Sequence, residues 1–351
     1  MESTQSLRIH GRKYGARSLS LRGGLVLVVL WVALAVVGVS NVFATSNLFT
    51  SNIFCHVTPP QLGCAIDSAA VLEYDGTTGA FVRTFVQPGS GGLDSPGALV
   101  FGPNGNLFMG TVSTVYNYSA VRKSVLEYNG ATGAFVRIFV PTGSGGLNYP
   151  SALVFGSNGN LFVGTINSVL EYDGTTGAFV RTFAPLGARA NGLAFGPNGN
   201  LFVLSYADSV WEYNGTTGAF VRIFVPTGSG GLAQPYALAF GPNGNLFLST
   251  KLQETVLEYN GTTGAFVRTF VQPNSGGLTD PHGMAFGPNG NLFVGSVVSI
   301  GATGVLEYDG TTGAFVRTFV QPGTAGQSFP VSLTFRTTVT PPPPQTCSRA
   351  I

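Results

Sequence analysis

Short apolar runs, each broken by a single charged residue and ended by a glycine turn, fill most of this chain. "VLEYDGTTGAFVRTF" (Val71 to Phe85) sets the pattern, with Glu73 among Val, Leu and Tyr, and Arg83 among Phe, Val and Thr. Runs of this length and composition suit strands, and Asp-Gly or Asn-Gly between two of them marks a tight hairpin. Copies begin at Val71, Val125, Val169, Val210, Val256 and Val305. A second phrase, "FGPNGNLFVG" with small substitutions, begins at Phe101, Phe155, Phe195, Phe240 and Phe286 and alternates strictly with the first.

The spacing between copies of the first phrase runs from 41 to 54 residues, the period of propeller blades. Each unit holds four strand-like runs: "ALAF", then "LFVGS" after "GPNGN", then "VLEY", then "FVRTF" after "DGTTGA". Four antiparallel strands repeated radially predict an all-β six-bladed β-propeller. The ends agree with that count. "SNLFTS" (Ser46 to Ser51) resembles a second strand with no first, and "FPVSLTF" (Phe329 to Phe335) resembles a first strand with no second. The C-terminal strand is therefore expected to complete the N-terminal blade and close the ring without a free edge.

In a blade of this topology, the loops between strands one and two and between three and four share one face. Here that face is nearly constant. The two-to-three loops and the connections between blades share the other face, and they vary: "TVSTVYNYSAVRKS", "TINS", "SYADS", "TKLQET", "PTGSGGLNYPS", "PLGARANG". First strands line the axis. The residues just before their small positions are Gly97, Ser151, Asn191, Tyr236, His282 and Val331. They are expected to converge at the channel mouth on the variable face, where Ser151, Asn191, Tyr236 and His282 form a candidate ligand-binding ring.

"DPHGMAFGPNGNLFVGS…GVLEYDGTTGAFVRTFV" resembles the NHL-repeat group of propellers, and more loosely the streptogramin-lyase and gluconolactonase-type relatives, over roughly residues 46 to 336. The resemblance is a blade grammar. It implies architecture far more strongly than activity.

Composition adds the compartment. The chain has 351 residues, 50 of them glycine, and only 9% are charged. Five basic residues fall in the first 22 positions, whereas from residue 45 onward 12 basic face 14 acidic ones. The body therefore carries no basic stripe for nucleic acid. The basic start is followed by the apolar run Gly24 to Val39 and by "SNVFA". Residues 1–44 read as a signal peptide or, alternatively, as an N-terminal membrane anchor. Both place the propeller, residues 45–338, outside the cytoplasm, secreted, periplasmic or anchored; residues 339–351 read as a proline-rich disordered tail. Cys55 and Cys64 flank "HVTPPQLG" and suggest a disulfide-closed loop in an oxidising compartment.

The repeated charges read as structure. Glu73, Glu127, Glu171, Glu212, Glu258 and Glu307 stand ten residues before Arg83, Arg137, Arg181, Arg222, Arg268 and Arg317. One glutamate per blade in equivalent surroundings suits cross-strand ion pairs rather than a pair of differently tuned catalytic acids. No metal or other cofactor is expected. Calcium in the mouth is the exception considered, and Asn191 is its one candidate ligand in the ring. Two functions stand. One is an exported, monomeric, non-catalytic scaffold that binds a protein or glycan through the variable face. The other is a lactonase-type hydrolase or lyase working at the mouth, with His282 placed where a base would be.

Overall fold

The turn glycines decide where the chain reverses, and the strands follow. In the computed structural model, which describes residues 46–57, 64–112, 123–299, 302–326 and 330–337, six four-stranded antiparallel sheets form. Contacts divide the chain into Met1–Phe43 and Ala44–Ile351, and every described residue lies in the second unit. Blade one joins Ser46–Val57, Cys64–Tyr74 and Phe81–Val86 to the C-terminal strand Pro330–Thr337. That strand pairs with Ser46–Val57 from Ser46 opposite Thr337 onward, which closes the ring. Blades two to six begin with the first strands Pro96–Phe101, Ala152–Phe155, Ala190–Phe195, Pro235–Phe240 and Pro281–Phe286. The N-terminal apolar run, the loops 58–63 and 113–122, and the tail from 338 lie outside the described residues. Among the described residues no helix is long and apolar enough to cross a membrane.

Cys55 stands opposite Ile66 and Cys64 opposite Val57, so the two cysteines are not directly opposed across their hairpin. Their side chains lie outside the described residues.

The constant phrases are constant because each is a joint. In "DGTTG" the carboxylate or amide oxygen of the first residue caps the turn. Asp75 Oδ1 accepts from Thr77 N, Thr78 N and Thr78 Oγ1, an Asx turn. A Cβ on the next residue, Gly130 in blade two, would lie 1.7 Å from the carbonyl oxygen of Gly105 in the neighbouring turn of the same blade. A Cβ on the last glycine of the phrase, Gly133, would lie 1.8 Å from the carbonyl oxygen of Phe85 in the preceding blade. The turn is wedged on both sides.

Phenylalanines carry the packing from blade to blade. Each second-strand Phe (Phe49, Phe108, Phe162, Phe202, Phe247, Phe293) is at most 1% exposed. Each meets the fourth-strand Phe of its own blade edge-on at 4.7–4.8 Å. Each also meets the first-strand Phe of the next blade at 4.9–5.2 Å. T-shaped pairs add to the area they bury. Phe293 against Phe335 joins blade six to blade one.

Six glutamates and six arginines form a belt outside these rings. Each glutamate is 2–3% exposed and accepts from its arginine's Nε at 2.6–2.7 Å. In blades two to six its other oxygen takes two asparagine amides from the "GPNGN" turn at 2.8–3.0 Å. The arginine's Nη2 then donates to a backbone carbonyl in the next blade at 2.5–2.7 Å: Ala131, Thr175, Thr216, Thr262, Thr311 and Thr77 in turn. The buried acid is fully bonded, and the arginine spans the joint. These charges are occupied in holding the disc together.

Candidate functional site

The variable face opens into a funnel on the axis, a cavity of about 410 Å³. Backbone irregularity aims its lining. The first strand of blade five loses register between Pro235 and Leu238, and that of blade six between Pro281 and Met284, so Tyr236–Ala237 and His282–Gly283 sit in bulges. A bulge turns side chains out of the sheet's alternation. Below the rim comes a ring of small residues, Ala98, Ala152, Gly192, Ala237, Gly283 and Ser332. Crowding requires them: a Cβ on Gly192 would lie 2.4 Å from Leu238, and one on Gly283 would lie 2.8 Å from Ser332. Below them Leu153, Leu193, Leu238, Met284 and Leu333 form an apolar floor. The funnel has a polar rim above this apolar lining.

Of the six rim positions, Gly97, Ser151, Asn191, Tyr236 and Val331 line the cup, and His282 does not. His282 is 8% exposed and packs edge-on behind Tyr236, with ring centroids 4.3 Å apart. Burial lowers its pKa; Asp280 at 3.9 Å pulls the other way and does not prevail. Its Nδ1 has no hydrogen-bond partner. Asp280 itself pairs with Lys251 at 3.2 Å. Ser151 donates its hydroxyl proton within the wall, to the carbonyls of Ala190 or Gly164. That leaves Ser151 a poor nucleophile, because its proton is directed at neutral carbonyls and not at a base.

Residues outside the predicted ring complete the rim. Arg189 donates from Nε to Asn191 Oδ1 at 2.9 Å. Its guanidinium carbon lies over Tyr149 at 5.1 Å and over Tyr206 at 5.2 Å, within cation–π reach. Tyr149, Arg189 and Tyr236 all line the cup, and Tyr206, the other ring facing Arg189's guanidinium carbon, is 67% exposed. Burial raises the Tyr236 pKa, with Arg189 opposing, so its hydroxyl stays protonated. The rim is therefore lopsided. Blades three to five and their connections supply aromatic and cationic groups, and the arc from Ser95 to Ala98 with Val331 and Ser332 is nearly bare.

Propellers of the gluconolactonase type imply a divalent cation at this place, and the donors here do not suit one. Asn191 Oδ1 is taken by Arg189, whose positive charge sits beside it. Among the described residues no carboxylate lines the cup, and no three His, Cys, Asp or Glu side chains cluster. Calcium needs several oxygen ligands, carboxylates among them.

No family model matches the chain, and no curated protein matches its sequence. Solved structures share the fold. A chain of the nidogen/laminin complex superposes with a TM-score of 0.60 at 14% identity, covering 83% of this chain and 98% of that one. A protein of unknown function from Bacteroides caccae gives 0.58 at 14% identity, covering 83% and 98%. The periplasmic gluconolactonase PpgL of Pseudomonas aeruginosa gives 0.53 at 18% identity, covering 82% and 99%. The chain is a six-bladed β-propeller with a cupped mouth on its variable face. At these identities the likeness is one of fold.

Proposed function

We propose that this chain is an exported binding module that captures a ligand in the cup of its variable face, and that it is not an enzyme. The observation that carries this reading is how the rim's polar groups are engaged. Ser151 bonds a wall carbonyl, Asn191 holds Arg189, and Asp280 holds Lys251. A hydrolase or lyase would need a base and a nucleophile or oxyanion donor facing one point in the cup. His282, the one histidine near the rim among the described residues, is instead walled off behind Tyr236. What faces the cup is tyrosine, arginine and small residues over an apolar floor, the composition of recognition surfaces. A chain of the nidogen/laminin complex having this fold is in keeping with a binding role, and a gluconolactonase having it keeps the lactonase alternative open to assay.

The test is a glycan and peptide array probed with the wild type, with Tyr236→Ala in the cup, and with Pro103→Ser on the constant face. Loss of signal in Tyr236→Ala alone supports the reading. Loss in Pro103→Ser alone would move the site to the other face. Turnover of simple γ- or δ-lactones above the uncatalysed rate would replace the module with the enzyme.

A further inference from the structure

Arg189 differs from the arginines of the repeat in having no acid. Each repeat arginine holds a buried glutamate at 2.6–2.7 Å. Arg189 pairs with no carboxylate among the described residues. Its Nε is committed to Asn191, its guanidinium carbon lies over the rings of Tyr149 and Tyr206, and Nη1 and Nη2 make no hydrogen bond to any described residue. Neither acid of the neighbouring variable-face segments reaches it: Asp280 is held by Lys251 at 3.2 Å, and Asp208 accepts from Gln234 N at 3.1 Å. The residue is fixed in orientation and left half unused, at the edge of a cup.

We propose that Arg189 is a carboxylate receptor, and that the cup takes a small organic monocarboxylate whose anion pairs with the Nη edge while its body lies on Tyr236 and the leucine floor. This rests on the binding-module reading and narrows it to a ligand chemistry. A guanidinium presents its donors in a plane that a carboxylate matches with both oxygens. The tyrosine contacts and the bond to Asn191 hold that plane before the ligand arrives, so little freedom remains to be lost on binding. One anion is favoured over a doubly charged phosphate because among the described residues Arg189 is the one cation lining the cup, and Lys251 is tied to Asp280. The apolar floor asks for a ligand with an uncharged body.

The experiment is titration calorimetry on the full chain with D-glucuronate, phenylacetate and glucose, at low and high salt, beside Arg189→Gln, Arg189→Lys and Asn191→Ala. Melting curves of each variant check the fold, and Arg189→Lys, which keeps the charge, guards against misreading a damaged rim. Binding of a carboxylate but not of glucose, weakened roughly 10- to 100-fold in Arg189→Gln and less so in Arg189→Lys, is the expected result. Preference for glucuronate assigns the ligand to sugar acids, and preference for phenylacetate assigns it to aromatic acids. Glucose binding as well as glucuronate, or carboxylate binding unchanged in Arg189→Gln, overturns the proposal. So does a wild type that binds no carboxylate while its array signal still depends on Tyr236, an outcome that leaves the binding module standing without this ligand.

Discussion

Arg317 donates from Nη2 to the carbonyl oxygen of Thr77 at 2.6 Å, across 240 positions of sequence. The same guanidinium holds Glu307 through Nε at 2.7 Å and lies over Phe319. Blade six is thereby tied to blade one by the same contact that joins every other pair. A lysine cannot reach both acceptors in one plane. Arg317→Lys is expected to lose about 1–2 kcal/mol of stability, a fall of roughly 2–6 °C in Tm. Arg181→Lys, at an interior joint of the same geometry, should lose a similar amount. Thermal unfolding followed by circular dichroism decides. A silent Arg317→Lys beside a damaging Arg181→Lys would mean that the seam is not closed as described.

The belt also sets a pH dependence. Burial pushes the pKa of Glu171 up, but hydrogen bonds from Asn160 and Arg181 outweigh it and leave the group below 4.5. Glu127, Glu212 and Glu258 follow the same balance. A depressed folded-state pKa gives stability that is complete above the unfolded value and is lost as pH falls through the folded one. Stability should therefore hold from neutrality to about pH 5 and decline below about pH 4.5. Glu171→Gln cannot titrate. Its unfolding free energy should lie below wild type at pH 7 and approach it near pH 3, as read from urea melts across that range. Parallel curves would remove the belt from the account of acid unfolding.

Much of this was legible because a repeat reports on itself. Asn-Gly and Asp-Gly turns at a constant offset announced the hairpins, and the partial phrases at Ser46 and Phe335 announced the shared blade. The rim was legible only where it belongs to the repeat. Ser151, Asn191 and Tyr236 were readable from strand register. Arg189, Tyr149 and Tyr206 lie in segments that occur once, so only the closed ring brings them together. A signal did exist, since Arg189 is an arginine with no glutamate ten positions before it. His282 was expected in the cup and stands behind it, packed edge-on against Tyr236, with both residues in bulged first strands.

The near-identity of the copies has a physical cause that substitution exposes. Gly174 has an ordinary φ, yet a Cβ there would lie 1.7 Å from the carbonyl oxygen of Gly159. Gly143 has φ of 80° and nothing within 4 Å of where a Cβ would stand. Gly174→Ala should therefore lose about 3 kcal/mol or more, because backbone must move. Gly143→Ala should lose about 1–2 kcal/mol, the ordinary penalty of a left-handed residue. Chemical denaturation of the two variants separates steric from conformational demand. The opposite ranking would mean that the two turns are not wedged together.

The connection between blades three and four lacks the short helical turn that the other connections carry among the described residues. Four tyrosines at the ends of third strands reach across to a short helical turn between blades, and Tyr172 donates to Ser144 O at 2.7 Å. Equivalent bonds run from Tyr128, Tyr259 and Tyr308 to Ser90, Ser229 and Ser275. Tyr213 has no such bond, because "PLGARANG" replaces the Gly-Ser-Gly-Gly turn between blades three and four. Tyr172→Phe removes the phenolic donor and leaves Ser144 O with the Leu147 N–H alone, so it should lose about 1 kcal/mol. Tyr213→Phe removes a hydroxyl with no described partner and should stay within about 0.5 kcal/mol of wild type. Tyr172→Phe is also expected to speed amide exchange at Leu147, whose N–H bonds Ser144 O within the same turn. Equal losses in the two variants would show that the hydroxyls act through solvation and not through the turn they hold.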